Sequence, residues 1–405
     1  MKFSKSGHAL LAAAVSLGIG LGITSCGESN TIDYLFVTAS KNNPGQISVY
    51  RVDQQSGALT QIQDSPYSSG GRNPVAEVTS PNGADLYVAN HDDNTIVEFA
   101  IGTDGKLYPQ HTYNTPGTEP ISLAINAAGT YLYAVDFYQA GYTDLQPGPG
   151  AVVVYPINAD GSLGTNVTYT NGTTTLPYFP VENNPNSVNV TANGSFVYVV
   201  NANTTLQAGT VSAFSVGSGG VLSAISGSPF IAGVAPTASA SDPTSRFYYV
   251  TDSATNQLIA YTIAASGALV PLENGPFATA VFPDAITIDP SGTYIYVANY
   301  NSNSVSAYQI TPSTGAPSGL AGAATYSTDT GPTCVLVDPA FGKFVYTSNF
   351  LGSSVSGFEL NVNTGVLTGA ENSPFPTAGQ PTCTSAVTHG NHPGEHVQAT
   401  AGTGA

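Results

Sequence analysis

A carboxylate in the middle of an apolar stretch is the first feature that asks for a chemical explanation: Glu77 sits in Pro74-Val-Ala-Glu-Val78. A carboxylate drawn into a core needs a partner or must keep its proton. Two readings stand for it, a general base or metal ligand, and a side chain paired with Arg72 or with backbone N–H groups. His91 precedes Asp92 and Asp93, residue types for an acid/base pair or a cation site, although Asn90-His-Asp-Asp-Asn94 is also turn composition. Asp136, Asp252 and Asp284 offer oxygen ligands of the kind calcium takes, so Ca2+ is the one ion to consider. No other cofactor is expected, and no metal ligands are assigned. Phe137, Tyr138, Tyr142, Tyr178 and Phe179 accompany Asp144, a mixture suited to stacking a sugar ring or gripping a peptide. The tail segment His389-Gly-Asn-His392-Pro-Gly-Glu-His396 has zinc and copper ligand types, but its Gly and Pro argue against a preformed site. Neither a nucleophile elbow nor a phosphate-cradling glycine loop is found.

The elements that must position these side chains are strands. Only 8% of the 405 residues are charged, whereas Gly (44), Pro (28) and Tyr (23) abound, the vocabulary of short strands and tight turns. Tyr87-Val-Ala-Asn90 and Tyr296-Val-Ala-Asn299 have relatives at Tyr133–Asp136, Tyr198–Asn201, Tyr249–Asp252 and Tyr346–Asn349, with a degenerate first copy at Leu35–Thr38. Each is preceded by a proline, a short strand and a turn such as Asp289-Pro-Ser-Gly292. Each is followed by a strand such as Val305-Ser-Ala-Tyr308 and a Gly-x-Leu turn. Four short strands per unit of about fifty residues is the sequence form of a propeller blade.

The phase-setting prolines are Pro74, Pro120, Pro185, Pro236, Pro283, Pro332 and Pro381, spaced 46, 65, 51, 47, 49 and 49 residues apart. The expected fold is therefore all-β: a seven-bladed β-propeller with four-stranded blades, over residues 32–388. Pro381–Thr388 has no unit behind it and the first unit lacks a first strand, so the C-terminal strand should join the N-terminal blade and close the ring. Two places after each proline the residue is small, and two of these are Cys334 and Cys383, in blades that closure makes neighbours. A disulfide there and two buried free thiols are both open readings. The loop before each proline and the loop after each second strand share one face, so a ligand mouth is expected there. The third unit departs most in length, through residues 137–150 and 165–184, both expected on that mouth.

Lys2 and Lys5 precede an apolar run from Ala9 to Ile23, read as a secretory signal peptide over residues 1–25. Ile23-Thr-Ser-Cys26 resembles a bacterial lipobox, which implies lipidation of Cys26, a short linker at 26–31 and attachment to the outer membrane on its periplasmic or cell-surface side. Residues 389–405 read as a disordered tail. The formal net charge is −17, and the leader holds two basic and no acidic residues. That balance argues against nucleic acid and other polyanions as partners. A glycan, a peptide or a neutral small molecule remains, and a monomer is expected.

The pattern of proline, strand, Asp-Pro-Ser-Gly-x-Tyr-x-Tyr-Val-Ala-Asn, Val-Ser-x-Tyr and Gly-x-Leu resembles the β-propeller lactonases, the 6-phosphogluconolactonase-like family. It also resembles bacterial surface propellers with Tyr-Val-Thr-Asn repeats. The first resemblance implies a lactone hydrolase, with Glu77 or His91 as general base at an acidic mouth. The histidine and arginine that such lactonases carry around the proline are absent, those places reading Val75-Ala-Glu77, Ile121-Ser-Leu123, Asp284-Ala-Ile286 and Thr333-Cys334. The second resemblance implies a lipid-anchored binding or scaffold module for glycan or protein, and it is the leading expectation.

Overall fold

Alternating β-branched and aromatic residues between Gly- and Pro-bearing turns fold each unit into a meander of short antiparallel strands. The computed structural model describes residues 30–202, 208–320 and 325–389. The chain is a seven-bladed β-propeller with an inner-to-outer order of four strands in every blade. Blade 2 has strands Pro74–Thr79, Asp85–Asn90, Thr95–Ile101 and Leu107–Asn114, and blade 6 has Pro283–Ile288, Tyr294–Asn299, Ser304–Ile310 and Pro317–Gly319. Blade 1 takes its inner strand from the far end of the chain, with Pro381–Thr388 pairing antiparallel with Thr31–Ala39. The leader, Cys26, His392 and His396 lie outside the described residues. His389 hands its N–H to the Ile32 carbonyl at 2.6 Å. Among the described residues no helix is long and apolar enough to cross a membrane.

Register places the first repeat copy one residue later than the sequence suggests. Pro381 pairs with Ala39, as Pro74 pairs with Asn90, so Phe36–Ala39 is the counterpart of Tyr87–Asn90 and Phe36 replaces the tyrosine.

That tyrosine stitches the ring. Its ring is buried between blades, and its hydroxyl donates to the carbonyl of the outer-turn glycine in the next blade. The pairs are Tyr87 to Gly161, Tyr198 to Gly267 (2.8 Å), Tyr249 to Gly315 (2.7 Å), Tyr296 to Gly365 (2.9 Å) and Tyr346 to Gly57 (2.8 Å). Two residues earlier, in each of these but Tyr87, another aromatic ring lies against the same glycine. A Cβ added to Gly315 would stand 2.2 Å from the Phe247 ring. Apolar side chains of facing sheets fill the space between, as with Tyr296, Val305, Val335 and Phe358 at the seam of blades 6 and 7.

Cys334 and Cys383 do face each other across the closing seam, as free thiols with their sulfurs 3.4 Å apart. A disulfide requires about 2.05 Å, a small movement on two adjacent strands. In an oxidising buffer the protein lacking Cys26 should titrate no thiol after denaturation. Two titratable thiols would remove the bridge.

The stitch gives an internally controlled test of stability. Tyr296→Phe leaves the Gly365 carbonyl buried and unpaired and should cost about 1–2 kcal/mol in urea unfolding. Tyr133, whose buried hydroxyl has no partner, should be replaced by Phe at no cost.

Candidate active site at the mouth between blades 2 and 3

The second strand of blade 2 ends at Asn90, level with Pro74, and the chain turns over the mouth through the short 3-10 turn His91–Asp93. Asn94 closes that turn in the left-handed region at φ 55°, and its side-chain oxygen accepts the Glu119 N–H at 2.7 Å. Glu119 is itself held at φ 60°, one residue before Pro120, so its side chain is delivered to the blade 2–blade 3 seam.

These turns bring His91 between two carboxylates. Nδ1 meets Asp92 Oδ1 at 2.8 Å, and Nε2 faces Glu119 Oε2 at 3.8 Å. Asp92 is fixed by the Asn73 amide at 3.0 Å, which with His91 holds its carboxyl below the usual range. Burial, then the Asp144 charge, push Glu119 upward against the pull of His91. Arg72 grips Asp93 at 2.6 Å and the Asp92 carbonyl at 2.8 Å, so the guanidinium serves the turn and not Glu77. An imidazole oriented by one carboxylate at Nδ1, with Nε2 free to take a proton from water, is the arrangement of a general base. The sequence places Glu119 at the mouth but not its pairing with His91, because only the fold brings residues 91 and 119 together.

Glu77 is not at the mouth. Its register partner is Val88, two ladder steps in from the rim pair Pro74 and Asn90, or about 7 Å of strand. It is buried at the seam with blade 1, where Ser385 donates to Oε1 at 3.1 Å and Oε2 has no partner. Burial first, then Cys383, raise its pKa well above the carboxylate range.

Several other expected ligand residues are structural. Asp252 is fully buried and clamps its loop by accepting the N–H groups of Val234 (2.9 Å), Ala235 (3.0 Å) and Ala254 (3.1 Å). Asp136, also fully buried, accepts the Gly117 N–H at 2.8 Å. Both stand where other blades place Asn90, Asn201, Asn299 and Asn349, on separate sheets from each other and from Asp284. Among the described residues no three His, Cys, Asp or Glu side chains converge as a metal site.

Tyr178 and Phe179 belong to the core, at 5% and 1% exposure. The segment around them is not at the mouth. Val167 bonds the Val154 carbonyl and Phe179 pairs with Val152, so the intervening hairpin (Tyr169–Asn171, Thr174–Leu176) projects from the outer edge of blade 3. The loop at 137–150 does reach the mouth. There buried Tyr138 donates to Asp144 at 3.2 Å, and Tyr142 is exposed while Phe137 is half-buried.

Asp284 sits in a belt around the axis. The residue after the phase-setting proline donates to the proline carbonyl of the next blade in Asn186 to Pro236 (2.7 Å), Thr237 to Pro283 (2.7 Å), Thr333 to Pro381 (3.3 Å) and Thr382 to Pro74 (2.7 Å). Asp284 holds the same place between Thr237 and Thr333, where only a protonated carboxyl can donate. Burial pushes it up to about 7.

The fold and site define a seven-bladed propeller with an acidic, histidine-bearing mouth. Two stretches, residues 44–141 and 237–337, match the family model described as Lactonase, 7-bladed beta-propeller. They run from blade 1 into blade 3 and from blade 5 into blade 7, leaving the rest of blade 3 and all of blade 4 unmatched. No curated protein sequence matches the chain. Among solved structures, the periplasmic gluconolactonase of Pseudomonas aeruginosa is similar with a TM-score of 0.71 at 18% identity, over 88% of this chain and 99% of that one. A candidate 6-phosphogluconolactonase of Bacteroides fragilis gives 0.69 at 18% identity, over 88% and 98%. Another from Bacteroides uniformis gives 0.70 at 17% identity, over 88% and 100%. At these identities the likeness is one of fold.

Asp136 and Asp284 set a pH signature. Burial pushes both up to about 7 from an ordinary 3.8. The folded state thus holds these protons more tightly than the unfolded chain. The stability they allow is complete below about pH 4 and is lost as pH rises through about 7. Urea unfolding should show the loss, and Asp284→Asn, which keeps a donor for the belt, should flatten it by roughly 1–3 kcal/mol.

Proposed function

We propose that this protein is an exported hydrolase of neutral sugar lactones, working at the mouth between blades 2 and 3. The observation that carries the reading is His91 held between Asp92 and Glu119, at 2.8 and 3.8 Å. In this mechanism Asp92 fixes the imidazole through Nδ1 and Nε2 draws a proton from the attacking water. The water oxygen adds to the lactone carbonyl, and His91 returns the proton to the ring oxygen as the ester bond opens. The match of two long segments to the lactonase family model supports the reaction class. The net charge of −17 and the carboxylates Asp92, Asp93, Glu119 and Asp144 at the rim favour a substrate without phosphate.

The binding-module reading draws its support from Phe137 and Tyr142 at the same mouth. With Tyr138, Tyr178 and Phe179 buried, that ledge is small. In the hydrolase these two rings would instead pack against the substrate. Export and the lipid anchor at Cys26 belong to the same proposal and rest on the leader alone.

Purified protein should open glucono-δ-lactone faster than the buffer does, and 6-phosphogluconolactone more slowly. His91→Ala should lower kcat/KM by about 10²–10⁴ with an unchanged Tm, and Asp92→Asn by less. No turnover on either lactone, or full activity in His91→Ala, would overturn the assignment.

A further inference from the structure

The face opposite the mouth carries a break in the repeat. In six blades an aromatic ring at the start of the second strand packs on the outer-turn glycine of the next blade. The pairs are Tyr34 on Gly105, Tyr131 on Gly220, Phe196 on Gly267, Phe247 on Gly315, Tyr294 on Gly365 and Phe344 on Gly57. In blade 2 this position is Asp85, set against Gly161.

Blades 5–7 keep their acid elsewhere, at the first residue of the preceding turn. There the carboxylate is saturated by backbone: Asp242 accepts the N–H of Phe247 at 2.6 Å, Asp289 that of Tyr294 at 2.6 Å, and Asp338 that of Phe344 at 2.5 Å. Blade 2 has Ser80 at the turn and the acid one strand-start later. The exchange leaves the carboxylate without a donor. The Ser80 hydroxyl stands 3.4 Å from Asp85 Oδ2, but its single proton goes to Asn82 Oδ1 at 2.6 Å.

A cavity of about 360 Å³ opens between blades 2 and 3, lined by Asp85, Asn82, Thr130, Asn158 and the backbone of Ala128 and Gly161. Asp85 is only 6% exposed. Its neighbours make the place more negative still, since Glu98 and Asp160 act on it and push its carboxyl up, after burial, to about 6. Glu98 has close partners in Tyr113 (2.7 Å) and His111 (3.1 Å), whereas Asp85 has only the longer Ser80 contact at 3.4 Å. A carboxylate this buried, at the wall of a cavity whose lining mixes Pro81 and Ile157 with its polar groups, suits a cationic hydrogen-bond donor. With no third metal-ligating side chain converging on it among the described residues, a metal ion is the poorer fit.

We propose that this cavity is a binding site for a compact organic cation, a primary ammonium or guanidinium group that donates to Asp85. The site lies on the face away from His91 and is independent of the lactone reading. Agmatine, which carries both cationic groups, is the probe for titration calorimetry on the purified protein, with 1-butanol as the uncharged control. One saturable agmatine site is expected, weakened at least tenfold, or about 1.4 kcal/mol, in the near-isosteric Asp85→Asn. Asp85→Phe restores the ring of the other blades and should abolish binding while raising Tm. Lactone turnover should be untouched in both. Absence of saturable agmatine binding, equal binding by Asp85→Asn, or equal binding of 1-butanol would each overturn the proposal.

Discussion

A propeller blade has two apolar faces and no way to cover either alone, so each of the seven sheets depends on both neighbours. The structure meets that constraint at three radii. Near the axis, side chains following the prolines donate to the carbonyls of the next blade. At mid-radius, aliphatic and aromatic residues of facing sheets interdigitate. Further out, the repeat tyrosine hands its hydroxyl to a turn glycine one blade on. A ring built this way has no terminal blade to protect, provided that its last strand returns to its first.

That dependence explains what was legible in the sequence. Blade number and closure could be read because every unit repeats the same seam chemistry: a proline that sets the phase, a small residue next to the axis, and a tyrosine at fixed distance. The first copy was misaligned by one residue because Phe36 has lost the hydroxyl that marks the position, and register alone restores it. The candidate site was only half legible. His91 stands out as a histidine in an acidic turn, but Glu119 reaches it from the next blade, and the distance between them in the chain hides the pair. Asp136 and Asp252 misled for the opposite reason. An acid at the end of a strand looks like a ligand until the backbone N–H groups it accepts are seen, three for Asp252 and one for Asp136. Asp85 stands in the repeat as an acid where the other six blades carry an aromatic ring.

Chemistry in this molecule gathers where the repeat fails, and blade 2 with its neighbour blade 3 holds most of the failures. At one end of their seam a histidine is caught between carboxylates. At the other, a carboxylate has replaced an aromatic ring. Blades 5–7, which keep the pattern, spend their polar groups on their own turns. A repeated architecture can tolerate such departures because the adjoining seams still hold the ring, so local loss of packing does not become loss of fold.

The direction of the first strand fixes the face from which an upstream tether would leave. Thr31–Ala39 runs from the face that bears the Asp85 cavity up to the mouth, where Ala39 meets Pro381. A tether attached upstream of Asn30 therefore leaves from the cavity face. Anchored so, the propeller would present His91 and its carboxylates to the open solution and turn the Asp85 pocket toward the supporting surface. One side would sample what diffuses past and the other what the surface itself displays.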